Sequence, residues 1–246
     1  MPSVIESIQL LKEKPWIDLT HGVTSKIPYF SAFQPLKKTT LFTVENEGFF
    51  AEKYEIVSQY GTHIDAPVHF AIGQQSVDQL SLKELILPLL VIHKEQAVAK
   101  NPDYELTVAD LLAFENDFGR IPPNSFVAFA SGWSNRWQNP QAFYNYDESN
   151  HAHTPGWSFS ALQFLHEERN VQAIGHETLD TDSGASYLAH KDLIGERYWL
   201  SQGKFQVEVL TRLEQIPATG AAIVLGVPKI NAAPGFTIRA FSILPE

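Results

Sequence analysis

The stretch Gly61-Thr62-His63-Ile64-Asp65-Ala66-Pro67-Val68-His69-Phe70 constrains this chain most, because a strand pattern runs into it and Pro67 must turn the backbone before it leaves. The preceding Lys53-Tyr54-Glu55-Ile56-Val57-Ser58 has the β-branched and aromatic character of a strand. A strand's period of two then sends Gln59, Gly61, His63 and Asp65 to one face. Pro67 fixes φ and offers no N–H, so the chain bends there and can return His69 toward the pair on the strand. Two imidazoles and a carboxylate meeting around a turn are the ligand set of a preorganised metal site. The competing reading is a surface His-x-Asp pair or a hydrogen-bonded structural histidine.

With 246 residues, 44% of them hydrophobic and 19% charged, the chain can bury a large core. The 15 prolines and 14 glycines are spread along it and mark no linker, so the reading is one domain over residues 1–246. The formal charge of −10 disfavours nucleic acid and anionic membrane as partners and leaves a small molecule as the ligand. No cysteine is present, so any metal must be held by nitrogen and oxygen. The N-terminal residues 1–12 read as an amphipathic surface helix rather than a signal peptide, which suggests the cytoplasm.

Strand-like runs fall at 39–44, 54–65, 89–93, 125–130, 171–175, 221–227 and 237–243. Between them lie helical patterns at 77–85, capped at Ser81, at Thr107 onward with Asp110 completing the cap, and at 158–169. Strands alternating with helices predict an α/β class with a mixed sheet. The tract Gly132-Trp133-Ser134-Asn135-Arg136-Trp137 follows the 125–130 strand, where α/β sheets build their sites, so its two tryptophans are candidates to wall a pocket.

Other polar residues could complete a site. Glu208 lies between Val207 and Val209, and a carboxylate in such a run either faces water or needs a cation. His190 sits before Lys191-Asp192-Leu193-Ile194. Residues 175–182, Gly-His-Glu-Thr-Leu-Asp-Thr-Asp, form a second polar cluster, read as shaping the pocket rather than binding metal. His93, His151 and His166 read as solvated or structural.

Taken in order, these residues resemble the cyclase family of metal-dependent hydrolases, which includes bacterial kynurenine formamidase and isatin hydrolase. The 61–70 stretch is similar to its Gly-Thr-His-x-Asp-Ala-Pro-x-His signature. Residues 16–21, Trp-Ile-Asp-Leu-Thr-His, resemble its N-terminal element, and 132–133, 155–156, 175–182, 190–194, 208–213, 228–229, 233–234 and Arg239 resemble later landmarks. The resemblance implies an α/β domain with a barrel-like β core and flanking helices, and a homodimer or homotetramer. It implies that His63, Asp65 and Glu208 ligate a divalent metal, zinc or manganese, that His190 serves a second ion, and that His69 carries protons or acts as an outer ligand. Members with two zinc ions carry a histidine where this chain has Gln59, so a single ion bound by His63 and Asp65 with Glu208 or Gln59 is the alternative to a binuclear centre. The segment 195–205, with Trp199, departs from the family and could reshape the pocket or swap between subunits. Phe70, Trp133, Trp137 and Trp199 permit a flat aromatic substrate. The implied reaction is hydrolysis of a C–N amide bond, in an aryl formamide or cyclic amide, by a metal-activated water. Lactone hydrolysis, lyase chemistry, or a small-molecule binding protein without turnover are the alternatives.

Overall fold

Two apolar faces, not one, set the architecture. The computed structural model describes residues 2–245. In chain order the strands are β1 (Trp16–Asp18), β2 (Lys37–Phe42), β3 (Ala51–Glu55), β4 (His63–Asp65), β5 (Ile86–His93), β6 (Glu105–Leu106), β7 (Phe126–Ala130), β8 (Gly156–Trp157), β9 (Ala173–His176), β10 (Phe205–Glu208), β11 (Ala221–Gly226), β12 (Gly235–Thr237) and β13 (Arg239–Ile243). Nine of them form one curled half-barrel sheet in the order β1-β13-β11-β5-β7-β9-β10-β4-β12. Its middle strands β5, β7, β9 and β10 run parallel, and the strands outside them pair antiparallel. The mixed sheet and barrel-like core that the sequence implied are therefore present.

The parallel strands are continuous apolar runs because both of their faces are covered. Leu89 and Val91 of β5, Phe126 and Ala128 of β7, and Phe205 and Val207 of β10 enter one core. Leu90 and Ile92, Val127 and Phe129, and Ile174 enter the other. Helices Val108–Phe118, Phe159–Gln163 and Ile194–Ser201 cover this second face with Leu111, Phe114, Leu162, Trp199 and Leu200. Thr107 caps the first of them in a reciprocal capping box with Asp110.

Two predicted elements differ. The run 54–65 is not one strand: β3 ends at Glu55, and Gly61, at φ +69°, turns the chain before β4 begins. The 77–85 pattern forms two short 3-10 turns instead of a helix, Val77–Gln79 capped by Ser76 and Leu82–Leu85, because Val77 and Leu80 are buried while Leu82 is exposed. The N-terminal helix Val4–Lys12 lies on the surface as read, yet none of its residues is buried. The antiparallel pair β2–β3 stands apart from the main sheet, with Leu41, Phe42, Phe49 and Phe50 exposed on and beside it.

Candidate metal centre

Period-two alternation places the site on the second face of the sheet. Ile64 of β4 and Val207 of β10 turn into the first core, so His63, Asp65, Gln206 and Glu208 turn the other way. The antiparallel register sets Glu208 opposite His63 and Gln206 opposite Asp65. On the far side of β4, Gly235 of β12 pairs with Asp65. A Cβ on Gly235 would come within 2.6 Å of the Gln59 amide nitrogen and 2.9 Å of Asp65 Oδ1. Glycine there leaves room for the site and brings Gln59 beside the Asp65 carboxylate.

The ligand atoms are preset. His63 Nδ1 meets the Gly61 carbonyl at 2.8 Å, so Nδ1–H donates there and Nε2 is the nitrogen turned to the carboxylates. That Nε2 lies 3.4 Å from Asp65 Oδ2 and 3.4 Å from Glu208 Oε2. Donors about 2.1 Å from a tetrahedral ion stand about 3.4 Å apart, so the spacing suits one. All three residues are buried, and Asp65 Oδ1 and the Gln59 amide nitrogen have no hydrogen-bond partner. The Asp65 oxygen, a buried acceptor without a donor, fits a cation; the Gln59 amide nitrogen is a donor and does not.

Charge leads to the same conclusion. Among the described residues no lysine or arginine pairs with Asp65, Asp180, Asp182, Glu196 or Glu208, although they lie close enough for their charges to interact. Burial, then the charges of Glu208, Asp65, Asp180 and Asp182, raises the Glu196 carboxyl well above its usual range. Asp180 is pushed up to about 7 by burial first and by Glu208, Asp182 and Asp65 next. Burial opposes a charged His63, but the Asp65 and Glu208 carboxylates outweigh it and raise its pKa well above the ordinary value, so a bound cation would take the place of the Nε2 proton and gain its lone pair. The cluster is short of positive charge, and a divalent ion would supply it.

The other predicted residues separate. Glu208 is buried in the cluster, not facing water. His69 reaches 3.9 Å from Asp65 Oδ1 and keeps 28% of its side chain exposed, between the ligands and solvent. Phe70 and Trp133 line a cavity of about 520 Å³ beside the cluster, together with Tyr144, Tyr146, Leu179 and Asp180. Trp137 does not line it; its ring is buried and stacks on His21 at 4.0 Å. Trp199 is likewise core, its indole N–H donating to the Phe205 carbonyl. His190 stands outside the cluster, exposed at the end of the helix Gly184–His190 with Nδ1 against the Ser186 carbonyl. Glu196, by contrast, is buried close to Asp65 and His69. The segment 195–205 is no loose arm: the helix Ile194–Ser201 is held at its start by Asp182, which accepts from the Gly195 and Glu196 N–H groups.

The cluster includes residues that the sequence pattern did not single out as ligands. The Gln206 side-chain amide donates toward Glu208 at 2.9 Å, Glu196 at 3.0 Å and Asp65 at 3.4 Å, while Thr181 donates to its oxygen. The signal was its place two residues before Glu208 on a strand. Glu196 was legible as the polar member of a buried stripe with Trp199 and Leu200, at helical spacing. His176 is no mere pocket wall: its Nε2 lies 3.3 Å from Glu208 Oε1, and the Trp157 indole donates to its Nδ1. Glu177 accepts from the Ser131 N–H and hydroxyl, the Trp133 N–H and the Ser134 hydroxyl, which anchors the Trp133 loop.

Comparison with known proteins bears out the fold and the family resemblance. An isatin hydrolase of Roseibium aggregatum is 29% identical over 203 residues, spanning 80% of this chain and 76% of that protein. Isatin hydrolase A from Ralstonia solanacearum superposes with a TM-score of 0.91 at 30% identity, over 99% of this chain and 98% of that one. Isatin hydrolase A from Labrenzia aggregata, in complex with benzyl benzoate, gives 0.90 at 27% identity over 98% of this chain and all of that one, 100%. The Cyclase family model matches residues 17–183, which include the His63-Ile64-Asp65 strand and the Asp180–Asp182 turn; the chain belongs to the cyclase family.

Proposed function

We propose that this chain is a metal-dependent hydrolase that opens the C–N bond of a cyclic aryl amide of the isatin class. The observation that carries the reading is one lone pair and two carboxylates, all buried, beside an aromatic cavity. His63, Asp65 and Glu208 would hold the ion. One nitrogen against two carboxylate oxygens, with no thiolate, favours manganese over zinc. The Gln206 amide lies among Asp65, Glu196 and Glu208 and bonds to all three, which supports one ion rather than two.

When bound, a divalent ion supplies an acidified water and a polarised carbonyl. The residues do the rest. Phe70, Trp133, Tyr144 and Tyr146 offer faces against which a flat ring can lie. His69, partly exposed and near Asp65, takes the proton from the attacking water and returns it to the leaving nitrogen. The exposed apolar residues around β2–β3 support a homodimer or homotetramer, which light scattering would read directly.

Elemental analysis and isatin turnover, followed by loss of absorbance, test the reading together. The expected result is about one ion per chain, lost in His63→Ala and Asp65→Ala. In His69→Gln the ion stays and kcat falls roughly 10² to 10⁴-fold. Metal-free protein, or full turnover in Asp65→Ala, would overturn it.

A further inference from the structure

Three carboxylates line the aromatic cavity, and two already have donors. Asp182 accepts from the Gly195 and Glu196 N–H groups and from the Ser186 hydroxyl. Asp192 pairs with the Arg197 guanidinium. Asp180 is different: among the described residues, no side chain or backbone N–H donates to its carboxylate. Its position is nonetheless fixed. Thr178 donates to its backbone carbonyl at 2.9 Å, and the neighbouring Glu177 is held by four hydrogen bonds. The next residue, Thr181, donates to the Gln206 side chain, whose amide in turn donates to Asp65 and Glu208. Asp180 thus belongs to both the cavity wall and the ligand cluster.

From this placement we infer that Asp180 is a specificity residue, whose carboxylate accepts the ring N–H of a cyclic amide lying in the aromatic cavity. The inference rests on the proposed function and adds to it. In a lactam the N–H is bonded to the carbonyl carbon under attack, so an acceptor for it must stand beside the metal centre and also face the cavity. Asp180 meets both conditions. Asp180 is half-buried and open to the cavity, so a ligand that fills the cavity must offer its carboxylate a donor or leave it unpaired, and a substrate N–H is that donor. An ester or an N-alkylated amide leaves it unpaired, so the residue discriminates by the penalty on the wrong ligand as much as by attraction to the right one. The acceptor oxygen is available whether or not the carboxyl is protonated.

The test uses the metal-loaded protein and two pairs of probes. Binding of oxindole and N-methyloxindole is followed by calorimetry, which needs no turnover; hydrolysis of isatin and N-methylisatin is followed by absorbance. Wild type is expected to bind oxindole roughly tenfold or more tightly than its N-methyl counterpart. Asp180→Ala should erase that preference by weakening oxindole alone, and should raise KM for isatin with little change for N-methylisatin. Asp180→Asn, the same shape with a carbonyl acceptor, should keep much of the preference. Equal losses for both members of each pair, an unchanged preference in Asp180→Ala, or no binding of either oxindole by wild type would each overturn the inference. Discrimination between the oxindoles that disappears in Asp180→Ala, in a protein that hydrolyses neither isatin, would uphold the role of Asp180 and refute the hydrolase reading.

Discussion

A proton decides whether His63 can be a ligand. Because the Gly61 carbonyl takes the Nδ1 proton, Nε2 stays free for a metal, and the turn that provides this carbonyl exists because glycine accepts φ +69°. Gly61→Ala should therefore weaken metal binding without touching a ligand, as titration of the purified variant with manganese would show. Gly235 makes a stronger case. An added methyl would press on the Gln59 amide, the Asp65 carboxylate and the Ile64 carbonyl at once. Overpacking of this kind costs about 1–3 kcal/mol, so Gly235→Ala should lower Tm and metal content together. Wild-type metal content in that variant would show that the site tolerates displacement. The contrast with His190 is instructive at this scale. The family resemblance suggested it as a ligand, but His190 ends one helix exposed to solvent, while Glu196 is buried in the first turn of the next.

Elements were legible where a short-range rule governs them. Thr107 with Asp110 predicted a helix start, and the capping box is present. Ser158 caps the helix Phe159–Gln163, as the 158–169 pattern implied. The single strand at 54–65 was misread because its β-branched residues carry no mark of where pairing stops, and pairing is decided by β10 and β12, some 140 to 170 residues away. The same distance hid Gln206, whose importance lies in what stands opposite it. The Asp110 cap also yields a pH prediction. Burial works against its charge, but Lys94, the Thr107 N–H and hydroxyl, and Tyr104 prevail and hold its pKa at about 2, below the usual 3.8. A depressed folded-state pKa contributes stability above pH 3.8 that fades as pH falls toward 2. In Asp110→Asn that contribution, on the order of 1 kcal/mol after solvent screening, should be absent at neutral pH, and the acid-unfolding curve should flatten in this window. Circular dichroism against pH checks it.

For the whole molecule, an ion held by His63, Asp65 and Glu208 would act as part of the fold, joining β4 to β10, strands adjacent in the sheet and remote in the chain. A ligand bound only by the folded state at one hundred times its Kd adds about 2.7 kcal/mol, so chelation should lower Tm measurably and restored manganese should return it. An unchanged melting curve after complete removal of metal would show that the buried carboxylates are neutralised by protons instead.

The distribution of the site along the chain has a consequence for its birth on the ribosome. His63 and Asp65 are synthesised early, but β10 and β12, which flank them on either side, come from the last quarter of the chain. A nascent polypeptide that has displayed the whole Gly61–Phe70 signature still lacks the carboxylate of Glu208 and the glycine that makes room beside Asp65. A metal held by this ligand set would therefore load only after β10 and β12 have been made, favouring folded over nascent molecules.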